Sequence, residues 1–128
     1  MKKLLLPILL ALAITPMANV SASPVLDKVA GQTNQYIALV EPCFRSFEKF
    51  GSPAWGQAAC RQLRLTPATD ILVFIEQAQV TLVQHYDALV SKQTDQQQIQ
   101  QVEQSIRLIF NSLDRLATMF TQIEAQRR

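Results

Sequence analysis

After Pro67 the chain has no glycine and no proline, and in all 128 residues it has three glycines. A 61-residue stretch without either breaker argues against a protein of turns and short strands and for long helices. Gly31, Gly51 and Gly56 are too few and too scattered to form a glycine-rich phosphate loop. Histidine occurs once, at position 85, and cysteine twice, at 43 and 60. No C-x-x-C, C-x-x-C-H or G-x-S-x-G pattern is present, so a dithiol redox centre, covalent haem attachment and a nucleophile elbow have no sequence support. A structural zinc site needs about four ligands at close spacing, and His85 is the one soft ligand beyond the cysteines. The expectation is no metal and no cofactor.

The longest apolar run, Leu4 to Ile14, is about half the ~20 residues that span a bilayer. It follows Lys2 and Lys3 and precedes the small residues of Val20-Ser21-Ala22. A basic start, a short apolar stretch and small residues before a cut form the pattern of a secretory signal peptide. Residues 1–22 therefore read as a cleaved leader and 23–128 as a single domain, periplasmic or secreted. Removing the leader takes away two lysines, leaving ten basic and ten acidic side chains. A neutral domain offers no global attraction for nucleic acid or for an anionic membrane. Glutamine occupies 16 of its positions.

Helix starts are written into the chain in a repeated form. Ser23-Pro24, Ser52-Pro53 and Thr66-Pro67 each offer a hydroxyl for the N-cap and a proline for the first helical position. Thr94 with Gln97 makes a capping-box pattern, and Gly51 suits a C-terminal cap after Phe50. The predicted helices are 24–50, 53–63, 67–91 and 95–126: an all-α bundle of three long helices and one short one. The last carries an unbroken seam at Ile99, Val102, Ile106, Ile109, Leu113, Leu116, Phe120 and Ile123. The third carries Ile71, Ile75, Ala78, Leu82, His85 and Leu89, with a second apolar row at Leu72, Val83, Tyr86 and Val90. Two rows predict a helix that touches two neighbours. The link Ser91-Lys92-Gln93 makes helices three and four an antiparallel hairpin. In the first helix the seam Leu26, Val29, Thr33, Tyr36, Val40, Cys43, Phe47, Phe50 runs straight through Pro42. There a kink, or two segments sharing one buried face, is expected.

An even cysteine count in an exported protein reads as a disulfide, here Cys43–Cys60 on consecutive segments either side of Gly51. His85 reads as a half-buried, hydrogen-bonded seam residue. A His85–Met119 haem pair fails on distance, since in the hairpin the two lie about 28 Å apart at ~1.5 Å per residue. Glu41, Glu48, Glu76, Asp87, Glu103, Asp114 and Glu124 fall at polar positions, and nothing isolates two of them as an acid/base pair. No catalytic residue emerges, and the domain reads as non-enzymatic.

Around the cysteines stand Arg45, Lys49, Trp55, Arg61 and Arg64, residue types in which partner-binding energy concentrates. They are the candidate contacts to an acidic patch on another protein. Glutamines 96, 97, 98, 100, 101 and 104 form a second candidate face, and the heptad seam is open to a homodimer. The function expected is an exported protein-binding module, in the format of secretion-system accessory, chaperone-like or immunity-type proteins. The alternative is a periplasmic carrier of a small apolar ligand held near Tyr36, Phe47, Phe74 and Tyr86.

Overall fold

A computed structural model describes residues 23–92 and 94–127. The leader read from residues 1–22 lies outside the described residues. Those that are described are almost entirely helical: α1 Pro24–Phe50, α2 Arg61–Arg64, α3 Ala68–Lys92 and α4 Gln96–Gln126. Two 3-10 turns, Ser52–Gly56 and Ala58–Cys60, carry the chain from α1 to α2. The all-α class and the disulfide-linked bundle are thus as the sequence indicates.

The first cap works as read. Ser23 Oγ accepts from the Leu26 backbone N–H at 3.3 Å, and Pro24 takes a position whose N–H has no intrahelical partner. At the other end of α1, Gly51 adopts φ +69 and donates its N–H to the Phe47 carbonyl at 2.9 Å. A side chain there would meet its own backbone, which is why glycine ends the helix. α1 meets Pro42 as one helix rather than two segments. Pro42 and Ala38 both face solvent, so the Ala38 carbonyl that proline leaves without an intrahelical donor is open to water.

Three helix starts differ from expectation. The predicted helix 53–63 is instead the two 3-10 turns plus the four residues of α2, with no side-chain cap at Ser52. Gly56 favours breaking the helix, and Cys60 is drawn to its partner in α1. Thr66 does not cap α3; its hydroxyl donates back to the Gln62 carbonyl at 2.9 Å, closing α2. At α4 the cap is Asp95, whose Oδ1 accepts from Gln97 N–H at 3.0 Å, rather than Thr94. An ionised carboxylate suits the positive end of the helix dipole better than a hydroxyl does.

α4 is the central element, packing along both α1 and α3, while α1 and α3 touch each other little. Its predicted seam is buried throughout, joined by Met119. Two apolar clusters share its length. One gathers Val40, Cys43, Phe47, Cys60, Leu63 and Ile71 around Leu116, Phe120 and Ile123. The other gathers Leu26, Val29, Ala78 and Leu82 around Val102, Ile106, Ile109 and Leu113. Residues early in α3 thus face the ends of α1 and α4, so α3 runs opposite to both. In α1, Ile37 and Ser46 are buried as well, whereas Tyr36 is half-buried and Phe50 is exposed.

The second apolar row of α3 fails its prediction. Leu72, Val83 and Val90 stay exposed, and Tyr86 is half-buried. α4 covers one side of α3, and among the described residues no second helix covers Leu72, Val83 and Val90. Among the described residues no helix is long and apolar enough to cross a membrane.

Candidate functional site

The two cysteines are bonded, Sγ to Sγ at 2.03 Å across a sequence separation of 17, and both are fully buried. The bridge ties the 3-10 segment to the C-terminal third of α1, and polar contacts finish the knot. Ser46 Oγ donates to Gln57 Oε1 at 2.9 Å. Arg64 donates Nη1 to the carbonyls of Trp55 and Gln57, the latter at 2.9 Å. Arg64 therefore braces two loop carbonyls instead of standing free for a partner.

Trp55 is also largely committed. Its ring lies half-buried, tilted at 6.5 Å from Phe47, with the Arg127 guanidinium 4.8 Å over its face. Arg127 in turn donates to both Glu124 carboxylate oxygens, at 2.9 and 3.0 Å. That hydrogen bonding holds the guanidinium pKa above its ordinary value. The last turn of α4 is thereby fastened onto the clasp by stacking of a cation on an indole.

Arg45 sits between Glu41 at 2.9 Å and Glu48 at 3.4 Å, and Glu41 is shared with Arg115 of α4. Lys49 and Arg61 are exposed and make no ion pair among the described residues. The five candidate contacts do fall around one end of the bundle, but Trp55 and Arg64 already hold that end together and Arg45 is paired within its own helix. Two exposed cations remain, next in the chain to exposed Phe50 and near exposed Leu65.

His85 is half-buried at the opposite end, its Nε2 3.3 Å from Ser23 Oγ. It fastens the end of α3 to the cap of α1, the seam role expected of it. Among the described residues no group of three or more His, Cys, Asp or Glu side chains could hold a metal ion.

The ligand-carrier residues are not brought together. Tyr36 and Phe74 stack at 4.7 Å between centroids and form part of a solvent-open groove of about 660 Å³ between α1 and α3. Phe47 is buried under the clasp, and Tyr86 lines a separate groove of about 310 Å³ between α3 and α4. Polar side chains Lys28, Gln32, Asp70, Gln77 and Thr81 line much of the first groove. The glutamine face of α4 is exposed, and Gln97, Gln100, Gln101 and Gln104 line a shallow depression with Glu103 and Arg107.

What the sequence reading missed is that the outer face of α3 is exposed and that Val73 and Val80 belong to it. Leu72, Val73, Val80, Val83 and Val90 are each between 44% and 52% exposed. Val73, Glu76, Val80, Val83, Asp87 and Val90 repeat at steps of three and four, so they share a stripe on the side of α3 turned away from its buried seam. That alternation was the available signal, obscured by the two acids inside it. Along one border the stripe meets the α3–α4 groove, whose floor is Leu82, Tyr86, Ile106 and Phe110.

Compared with known families, curated proteins and solved structures, the chain finds no match in any of the three.

Proposed function

We propose that this protein is an exported, non-enzymatic module that acts by binding another protein through the outer face of α3. One observation carries the reading: five aliphatic side chains stand about half exposed on a helix whose opposite face is buried at Ile71, Ile75, Ala78 and Leu82. Scattered single apolar residues on a surface need no explanation, but a periodic stripe running into an apolar groove marks a place that is covered in use. The scaffold behind it suits the task. A disulfide and the fastening of α4 over Trp55 fix one end of the bundle, and His85 with Ser23 fixes the other. A surface that is ordered before binding loses less conformational entropy on association. Export is supported by the basic-apolar-small order of residues 1–22 and by a bridge that persists in oxidising compartments.

The test is chemical cross-linking in the cells that make the protein, followed by mass spectrometry of what is joined to it. The reading expects the processed chain covalently joined to a second, different polypeptide. Recovery of the unlinked chain alone, under conditions that join known neighbours in the same compartment, would overturn it. Extractable apolar ligand accompanying the purified protein would instead favour the carrier reading, with the α1–α3 groove as its site.

A further inference from the structure

We infer that the outer face of α3 receives an amphipathic α-helix of another polypeptide, with lysine or arginine placed opposite Glu76 and Asp87. This rests on the reading of the protein as a binding module and adds the chemistry of its partner. The stripe Val73, Glu76, Val80, Val83, Asp87, Val90 has the spacing of a coiled-coil seam, with two acids at positions that are ordinarily apolar. From Val73 to Val90 it runs about 25 Å at ~1.5 Å per residue. A straight helix of similar length is the shape that follows such a stripe and settles its side chains into the α3–α4 groove. Glu76 and Asp87 are exposed and have no ion pair or side-chain hydrogen bond among the described residues. The two charged side chains flanking that groove, Glu103 and Arg107, are paired with each other at 3.1 Å. The two carboxylates are therefore the uncompensated charges of the face, and a helix bringing cations to them matches it.

The same two acids disfavour a second copy as occupant. In an antiparallel dimer, the register that sets Val73 against Val90 and Val80 against Val83 also sets Glu76 against Asp87 of the other copy, twice. An in-register parallel pairing sets each acid against itself. Like charges facing across a seam disfavour the pairing, which is how polar seam positions choose partners.

Two synthetic helical peptides test this, identical in their leucine and valine seam and differing at two seam positions that carry lysine in one and glutamate in the other. Each is titrated by fluorescence anisotropy against the processed, disulfide-bonded chain. The lysine peptide is expected to bind saturably and at least about tenfold more tightly than the glutamate peptide, with the difference shrinking as salt rises. The variant Glu76→Gln/Asp87→Asn should keep binding and lose the discrimination. Val80→Asp/Val83→Asp should lose binding, with circular dichroism and melting temperature confirming that both variants are folded. Equal affinities for the two peptides, saturable binding of neither, or binding indifferent to Val80→Asp/Val83→Asp would overturn the inference. So would sedimentation of the chain alone as a dimer that Val80→Asp dissolves. Cross-links in cells that map to Lys49 and Arg61 instead of α3 would sink this inference while leaving the module reading intact. No cross-linked polypeptide at all would sink the module reading itself, whatever the peptides do.

Discussion

Breaking the Cys43–Cys60 bridge should cost this domain a large share of its stability. The two residues are 17 apart in sequence, and closing a loop of that length removes unfolded-chain entropy equivalent to about 3 kcal/mol at 25 °C. In a domain of this size each kcal/mol moves the melting temperature by roughly 4–8 °C, so full reduction should lower it by about 12 °C or more. Cysteine-to-alanine replacement should cost more. Both sulfurs are completely buried among Val40, Phe47, Leu63 and Ile123, and deleting each removes an apolar contact worth on the order of 0.8 kcal/mol. The assay is a thermal melt followed by circular dichroism, on oxidised protein, on the same protein with reduction verified by thiol titration, and on Cys43→Ala/Cys60→Ala. A shift below about 3 °C on full reduction would refute the reasoning. It would mean that the polar knot at Ser46, Gln57 and Arg64 holds the segment without help from the bridge.

Other outcomes follow from individual residues. Trp55→Ala should destabilise by about 2–3 kcal/mol, below the range for a fully buried tryptophan because the ring is half-buried against Phe47 and Arg127; a denaturant midpoint that stays put would place Trp55 on the binding surface instead. Leu82→Ala, at a fully buried position between α3 and α4, should cost about 2–5 kcal/mol in urea unfolding. Val80→Lys, by contrast, should change stability by no more than about 0.5 kcal/mol, since its side chain is half exposed; a larger loss would show that the stripe is structural. Arg64→Ala should lower stability by about 1 kcal/mol through the two loop carbonyls it braces, read as a small fall in melting temperature.

The long helices were legible because their signals are local and redundant. Every residue of the α4 seam is buried, since a strict three-and-four spacing leaves one side of a helix apolar and that side must find cover. Ser23-Pro24 and Gly51 were legible because each supplies a backbone or capping need that few other residues meet. Thr66 and Thr94 misled because a hydroxyl next to a helix start can bond in several directions, and the neighbouring Gln62 carbonyl and Asp95 carboxylate decided the outcome. The clasp residues carry a related ambiguity. Type and proximity suggested a surface for a partner, yet Arg64 is spent on loop carbonyls, Arg45 on two glutamates and Trp55 on Arg127. Whether a second apolar row on α3 is buried depends on how many helices surround it, which no local pattern states. α4 takes one side of α3 and α1 touches it only lightly, so Leu72, Val83 and Val90 are left exposed with Val73 and Val80.

The most direct test uses a photo-activatable residue in place of Leu72, at the edge of the stripe, in the cells that make the protein. Illumination should join the chain to a second polypeptide, and the adduct should vanish when Val80 and Val83 are also replaced by lysine, with the melting temperature unchanged. An adduct that survives those two lysines, or forms equally from a probe at the exposed Leu108 of α4, would contradict the assignment of α3 as the working surface.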